Sequence, residues 1–172
     1  MDRFKTLISK EQIAERIKAL AEQIDKDYEN EPYLLVAVLR GSFIFAADLM
    51  RELNGDVSID FIEAKSYCGT KSSGELKILK DTREDIKDKN VIIVEDIIDT
   101  GITLKNLEKV FLSRQPKSLK LCACFDKPSR REVELTGDYV GFEIPNEFVI
   151  GYGLDYDEKY RNLSEVKIYT EV

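Results

Sequence analysis

The chain has 172 residues, of which 43% are hydrophobic and 34% charged, and its formal net charge is −7. This length and balance favour one globular domain spanning residues 1–172 over a disordered segment. The sequence contains no histidine, which excludes imidazole as a general base, as the partner of a serine or cysteine nucleophile and as a zinc ligand.

The first predicted element is a helix that begins after Ser9. Ser9 and Gln12 have the spacing of a capping box, and isoleucine and leucine follow at helical period. Residues 33–39, YLLVAVL, form a short continuous apolar run that is typical of a buried strand in a parallel sheet. A second helix is predicted between positions 45 and 53, where apolar residues again recur at helical spacing.

The next segment predicts a strand, a loop and a second strand. Apolar and polar residues alternate over residues 57–61, as in a half-buried strand. Residues 66–74 are small, polar and rich in glycine and serine, which predicts a long flexible loop. Residues 75–80 alternate again, so we expect an antiparallel pair joined by this loop.

The rest of the chain alternates strands and helices. Apolar strands are predicted at residues 91–94 and 118–125, with an amphipathic helix between them, and further apolar segments lie at 148–154 and near the carboxy terminus. Such alternation predicts an α/β fold with a mostly parallel sheet, whose ligands bind outside the carboxyl ends of the strands.

The most informative segment is VIIVEDIIDTGITL, residues 91–104. A buried strand leads into Glu95 and Asp96, and residues 99–103 then lead into a helix. Free backbone amides and the helix dipole make such a turn an anion site. Gly101 lets the backbone approach an oxyanion closely. The adjacent carboxylates can accept hydrogen bonds from two vicinal ribose hydroxyls.

This string resembles the phosphoribosyl-pyrophosphate motif of the type I phosphoribosyltransferases. Further segments extend the resemblance to the hypoxanthine-guanine phosphoribosyltransferases, over about residues 33–165. LRGS at 39–42 is similar to the pyrophosphate-binding loop, and KSYCGTKSSGE at 65–75 to the flexible catalytic loop. FDKPSRR at 125–131 resembles the segment with the purine-recognition lysine, and residues 141–163 resemble the base-stacking and metal-binding segment.

The resemblance implies a parallel-sheet phosphoribosyltransferase core flanked by helices. A small hood, to which the carboxy-terminal part contributes, would bind the purine, and residues 66–74 would form a lid. The implied reaction joins hypoxanthine or guanine to phosphoribosyl pyrophosphate, giving IMP or GMP and pyrophosphate, with Mg²⁺ as cofactor. Family precedent also implies a homodimer or homotetramer.

The resemblance implies roles for individual residues. Asp99 would handle the proton at purine N7, while Ser66 and Tyr67 would close over the reacting centre. Lys127 would donate to the exocyclic O6 and Phe148 would stack on the base. The residues implied in substrate binding are Arg40, Gly41, Glu95, Asp96, Thr100, Gly101, Ile102, Thr103, Lys127, Phe148, Val149 and Arg161. The implied metal ligands are Glu95, Asp96 and Asp155.

Two positions depart from the pattern of some relatives. Arg40 stands where some members have lysine, which keeps the charge and offers a broader donor fork. Ile102 also replaces a lysine of some members, which leaves the phosphate to backbone amides and threonine hydroxyls. These motifs do not rank hypoxanthine, guanine and xanthine.

Two other functions compete with purine salvage. One is a non-catalytic relative that senses a nucleotide and binds RNA or DNA, and the other is transfer to a different base such as orotate or uracil. The acidic charge counts against a nucleic-acid partner, and Lys127 with an aromatic residue at 148 favours a 6-oxopurine.

The remaining features bear on location. No apolar run reaches the ~18 residues of a membrane span, and the amino-terminal segment lacks the apolar stretch of a secretory signal. The three cysteines, Cys68, Cys122 and Cys124, do not form a disulfide framework. We therefore expect a cytoplasmic protein with no membrane partner.

Overall fold

The computed structural model describes residues 3–66 and 76–170. The helices are α1 (Lys10–Asp27), α2 (Phe43–Glu52) and α3 (Ile102–Ser113). The strands are β1 (Phe4–Ile8), β2 (Tyr33–Leu39), β3 (Val57–Ser66), β4 (Leu76–Lys80), β5 (Asn90–Ile98), β6 (Ser118–Asp126), β7 (Tyr139–Glu143), β8 (Val149–Ile150) and β9 (Val166–Tyr169). Within the described residues, no helix is long and apolar enough to cross a membrane.

Helix α1 begins with the predicted capping box. The backbone N–H of Gln12 donates to the Ser9 hydroxyl at 3.2 Å, and the Gln12 side chain accepts from the Ser9 N–H at 2.9 Å. These bonds satisfy two amide groups at this end of the helix. The buried face of the helix consists of Ile13, Ile17, Leu20, Ala21 and Ile24. This apolar stripe fixes α1 against the sheet, because each large aliphatic side chain contributes about 1.5–3 kcal/mol when buried.

The central sheet has six strands in the order β4-β3-β2-β5-β6-β7. Strands β3, β2, β5, β6 and β7 are parallel, and β4 pairs antiparallel with β3 as the sequence predicts. From β2 the chain proceeds to β3 on one side, whereas from β5 it proceeds to β6 on the other. The boundary between β2 and β5 is therefore the topological switch point, where α/β sheets bind ligands.

Helices cover both faces of this sheet. Alternate residues of a strand point to opposite faces, so Leu35 and Ala37 of β2 pack with α1 and α2. Leu34 and Val36 pack on the other face with α3. Burial on both faces explains why β2 is a continuous apolar run rather than an alternating one.

A second, three-stranded antiparallel sheet in the order β1-β9-β8 forms the hood. The sequence does not predict β1 or β7. The apolar run at 148–154 contributes only two residues to this small sheet, and its glycines form the turn that follows. Gly141 in β7 allows a close backbone contact, since a Cβ there would lie 2.4 Å from the carbonyl oxygen of Cys124.

Candidate active site

A cleft of about 350 Å³ opens at the carboxyl ends of β2 and β5, at the switch point of the sheet. It brings together most of the residues that the sequence assigns to the ribose and phosphates. The members of that set that line it are Gly41, Glu95, Asp96, Asp99, Thr100, Gly101, Thr103 and Arg161, and the implied metal ligand Asp155 lines it as well.

Glu95 and Asp96 lie inside β5 rather than after its end, because the strand continues to Ile98. The Asp96 N–H donates to Glu95 Oε1 at 2.8 Å, and the Ile97 N–H donates to Asp96 Oδ1 at 2.7 Å. Burial raises the pKa of both carboxyls, and the charge of Asp96 raises the pKa of Glu95 further. Hydroxyl donors or a cation at this point would stabilise the charged pair.

The loop after β2 fits tightly against Asp96. A Cβ on Gly41 would lie 1.6 Å from Asp96 Oδ2, and a Cβ on Gly153 would lie 2.2 Å from the Gly41 carbonyl oxygen. The Leu39–Arg40 peptide bond is cis. Three segments, from β2, β5 and the turn after β8, therefore converge, and a glycine stands at each of these two points of close approach.

The turn between β5 and α3 has the form that anion binding requires. Gly101 caps α3 with φ 82° and makes no side-chain hydrogen bond to the helix, which is a conformation that glycine adopts without strain. A glycine cap leaves amide donors of the first turn available for a ligand. The Thr103 hydroxyl lies 2.6 Å from that of Ser66 and is hydrogen-bonded to it.

Asp99 is held from two directions. Arg130 Nε donates to Asp99 Oδ1 at 3.1 Å, and Arg131 Nε donates to the Asp99 carbonyl oxygen at 3.2 Å. The sequence does not single out Arg130 for a role, although it stands three residues after Lys127. Its guanidinium is the hydrogen-bond partner of the Asp99 carboxylate.

Lys127 and Phe148 lie beside the cleft rather than among its lining residues. The Lys127 N–H donates to the Ile98 carbonyl at 3.0 Å, and Nζ donates to the Glu147 carbonyl at 2.7 Å. Burial lowers the pKa of Lys127, and the nearby charge of Asp99 opposes that effect. The amino group thus sits next to the residue that precedes the Phe148 ring.

Phe148 belongs to an aromatic cluster in the hood. Its ring is 40% exposed and meets Tyr156 edge-on, with centroids 5.6 Å apart. Tyr169 of β9 stacks on Tyr156 at 4.9 Å and also contacts Phe4 of β1 at 5.6 Å. Val149 is buried and pairs with Ile168. The aromatic cluster of the hood therefore supports the Phe148 ring through its edge-on contact with Tyr156.

Asp155 and Arg161 belong to the hairpin after β8, and both side chains line the cleft. Arg161 Nη2 is 3.1 Å from Asp155 Oδ1, and Arg161 Nη1 donates to the Gly153 carbonyl at 2.7 Å. Glu158 accepts from Arg161 at 3.3 Å and from Arg40 at 3.1 Å. The sequence assigns no role to Glu158, and its spacing of three residues from Arg161 is the only local signal.

The donor set suits a magnesium ion that is shared with a ligand. Among the described residues no group of three histidine, cysteine or acidic side chains converges as an all-protein metal site. Mg²⁺ usually takes one or two carboxylates, together with water and substrate phosphate oxygens. Glu95 and Asp96 in the cleft floor, with Asp155 at its side, offer oxygen ligands of that kind.

Ile102 and Tyr67 are the remaining residues of the predicted site. Ile102 is the first residue of α3, and its N–H donates to the Thr100 hydroxyl at 3.4 Å. Tyr67 lies outside the described residues, as does the predicted lid loop apart from Ser66.

Comparison with known proteins agrees with this geometry. Residues 5–157 match the family model of the phosphoribosyl transferase domain. The hypoxanthine-guanine phosphoribosyltransferase of Streptococcus pyogenes serotype M3 is 48% identical over 97% of this chain and 93% of its own length. The chain belongs to the hypoxanthine-guanine phosphoribosyltransferase family.

Other members of the family are similar over the same extent. The enzyme of that name from Aquifex aeolicus is 46% identical over 95% of this chain and 93% of its own. A crystal structure of a Bacillus anthracis hypoxanthine-guanine phosphoribosyltransferase has a TM-score of 0.92 and 53% identity, covering 96% of this chain and 98% of that one. The α/β fold with its parallel core is thus that of the family.

Proposed function

We propose that the chain transfers the 5-phosphoribosyl group from phosphoribosyl pyrophosphate to N9 of hypoxanthine or guanine, in purine salvage. The products are IMP or GMP and pyrophosphate, and residues 1–172 act as one domain. The observation that carries this proposal is the single cleft that joins the carboxylate pair of β5 to the glycine-capped turn of α3, with Arg161 at its side. A ribose with phosphates at both ends fits that arrangement of charges.

The phosphoribosyl part of the substrate would occupy the cleft. The turn from Asp99 to Thr103 supplies amide and hydroxyl donors for the 5′-phosphate. Glu95 and Asp96 accept hydrogen bonds from the ribose hydroxyls. Arg40, the Gly41 backbone and Arg161 meet the pyrophosphate, where planar guanidinium groups match phosphate oxygens.

The base would lie against the hood. Lys127 donates to O6, Phe148 stacks on the ring, and the Val149 backbone contacts the base edge. Because a lysine ammonium is only a donor, it suits an oxo group and meets the amino group of adenine poorly. Leaving such a donor mismatched costs about 1–3 kcal/mol.

The reaction separates charge at the ribose C1′ as pyrophosphate leaves. The two arginines stabilise the negative charge that develops on the leaving group. Asp99 accepts the proton from N7 while N9 forms the new bond, a task that needs no histidine. Ser66 and Tyr67 exclude water from the reacting centre. Glu95, Asp96 and Asp155 would hold magnesium, which when bound supplies charge compensation on the pyrophosphate.

We also propose that the protein is a cytoplasmic homodimer or homotetramer. An apolar groove of about 300 Å³ on α2 and β3, lined by Phe43 and Met50 among others, supports a protein–protein interface. Cys122 and Cys124 are buried free thiols, which agrees with a reducing compartment.

Steady-state kinetics with four bases test the function. kcat/KM is measured for hypoxanthine, guanine, xanthine and adenine with magnesium and phosphoribosyl pyrophosphate. We expect turnover of hypoxanthine or guanine, and a value for adenine that is lower by about tenfold or more. Turnover of none of the four contradicts the enzyme assignment, and a preference for adenine contradicts the role of Lys127 and the choice of a 6-oxopurine as substrate.

A further inference from the structure

One carboxylate oxygen joins the two arginines that the proposed function assigns to pyrophosphate. Glu158 Oε2 accepts a hydrogen bond from Arg40 Nη1 at 3.1 Å and from Arg161 Nη2 at 3.3 Å. Arg40 follows β2, whereas Arg161 lies in the hairpin after β8. Glu158 therefore bridges the two segments at the edge of the cleft.

The backbone holds Glu158 in this place. Its N–H donates to Asp155 Oδ2 at 2.9 Å, and the turn is closed by reciprocal hydrogen bonds between Tyr156 and Lys159 at 3.1 Å. Glu158 has φ 60° and its neighbour Asp157 φ 52°. Left-handed conformations at such residues persist when the surrounding structure determines them, so the hairpin fixes the backbone of Glu158 within reach of both arginines.

A phosphate group needs the same donors that Glu158 occupies. Guanidinium groups bind carboxylates and phosphates through the same fork of N–H donors. The side chains of Arg40 and Glu158 are 61% and 65% exposed, and ion pairs this exposed are weak enough to be exchanged. Arg161 is less exposed, at 19%, and keeps the Gly153 carbonyl and Asp155 as partners when Glu158 leaves.

We propose that Glu158 is an internal competitor of pyrophosphate for Arg40 and Arg161. It pairs with both guanidiniums when the cleft holds no pyrophosphate group, and it gives them up when such a group binds. This inference rests on the proposed function, because that function places pyrophosphate at these arginines. Its consequence is weaker binding of both phosphoribosyl pyrophosphate and product pyrophosphate, which favours product release.

Glu158→Gln tests the competition, with Asp157→Asn as the matched control. Both variants remove one negative charge from the same turn. The control residue is 80% exposed, and it forms an ion pair with Lys159 at 3.8 Å. The dissociation constant of inorganic pyrophosphate is measured by calorimetry in the presence of Mg²⁺, together with KM for phosphoribosyl pyrophosphate.

We expect Glu158→Gln to lower both constants by about fivefold, the factor that corresponds to about 1 kcal/mol. Asp157→Asn is expected to change them by less than about twofold, because a solvated charge acts only through screened electrostatics. Equal effects of the two variants would overturn the proposal in favour of a general charge effect. Weaker binding by Glu158→Gln would overturn it in favour of a carboxylate that positions the arginines.

The wild-type protein separates this inference from the proposed function. If wild type makes no nucleotide from any of the bases, the proposed function fails. If wild type turns over normally and Glu158→Gln binds pyrophosphate no more tightly than wild type, only the role of Glu158 fails.

Discussion

The Asp99 carboxylate is the group that we propose for proton transfer, and it accepts a hydrogen bond from Arg130 Nε at 3.1 Å. Asparagine at this position keeps the size and one acceptor oxygen but cannot take a proton. We expect Asp99→Asn to lower kcat by about a hundredfold, within the range of general acid–base catalysis. KM for phosphoribosyl pyrophosphate should change by less than about threefold, because the backbone amides of the turn remain. An unchanged kcat in steady-state assays contradicts the proton-transfer role.

Asp60 is a buried carboxylate in β3 whose hydrogen-bond donors are backbone amides, with the Lys80 ammonium 3.9 Å from its Oδ1. It accepts hydrogen bonds from the N–H groups of Phe61 at 2.7 Å, Arg83 at 2.6 Å and Glu84 at 3.0 Å. Burial raises its pKa, but these bonds together with the positive charge of Lys80 outweigh burial and leave the pKa below its ordinary value. A carboxyl of this kind stabilises the fold above its unfolded pKa of about 3.9, and the contribution is lost as pH falls toward the folded pKa.

Asp60→Asn therefore has a pH-dependent effect on stability. We expect the free energy of unfolding to fall by about 1–3 kcal/mol at pH 7, because the charged acceptor is lost. The difference from wild type should narrow below about pH 4, because the Asp60 carboxyl of the unfolded chain then takes up a proton that the native carboxylate does not yet bind. Urea unfolding at several pH values measures both effects, with the exposed Asp56→Asn as control. If the difference in the free energy of unfolding stays constant from pH 7 to pH 3, the ionised Asp60 carboxylate is not its cause.

At the scale of elements, the loop after β2 is built around Gly41. A Cβ there would meet the Asp96 carboxylate rather than backbone, so the side chain can move and the fold can persist. We expect Gly41→Ala to raise KM for phosphoribosyl pyrophosphate by about tenfold or more, since charge-assisted hydrogen bonds to the ribose are lost. The midpoint of thermal unfolding should change little.

Gly153→Ala is the informative comparison. Its Cβ would lie 2.2 Å from the Gly41 carbonyl, and φ is +94°, so both the clash and the backbone conformation oppose alanine. We expect Gly153→Ala to lower the midpoint of thermal unfolding and also to raise KM for phosphoribosyl pyrophosphate. If the midpoint of thermal unfolding of Gly41→Ala is as low as that of Gly153→Ala, the Asp96 carboxylate does not move aside as we expect.

Elements with local signals were predictable from the sequence, and elements that depend on distant pairing were not. The capping box of α1 and the apolar runs of β2 and β5 are complete within a few residues of each element. β1, by contrast, exists because Phe4 pairs with Tyr169 at the other end of the chain. Strand β7 lies at the edge of the sheet and contains Gly141, which weakens its pattern.

At the scale of the whole molecule, the predicted order of strands and helices indicates where the site lies without reference to any side chain. Alternating strands and helices predict a cleft at the carboxyl ends of the sheet, and Glu95, Asp96 and the turn of α3 do line it. The contacts of Arg130 and Glu158 could not be predicted from the sequence, because they are pairs of side chains that the fold brings together. The Arg40–Glu158 contact joins residues 118 positions apart and leaves no local pattern.

The proposed self-association also belongs to this scale. Phe43 begins α2 directly after the Arg40–Ser42 loop and is 44% exposed, in an apolar groove shared with Met50 and Phe61. A glutamate there would place a charge where an interface needs apolar contact, so we expect Phe43→Glu to shift the protein toward monomer in sedimentation velocity. Leu112→Glu is the matched control, since Leu112 is 55% exposed on α3, against the other face of the sheet.

The position of Phe43 would connect an interface in this groove to the cleft. Its N–H donates to the Arg40 carbonyl at 3.2 Å, so an interface at Phe43 would hold the loop that carries Arg40. We therefore expect the monomeric variant to have a higher KM for phosphoribosyl pyrophosphate, whereas KM for the purine, which depends on the hood, should change less. A wild-type protein that sediments as a monomer at micromolar concentration contradicts the homo-oligomer. A monomeric Phe43→Glu with wild-type KM contradicts only the link between the interface and the Arg40 loop.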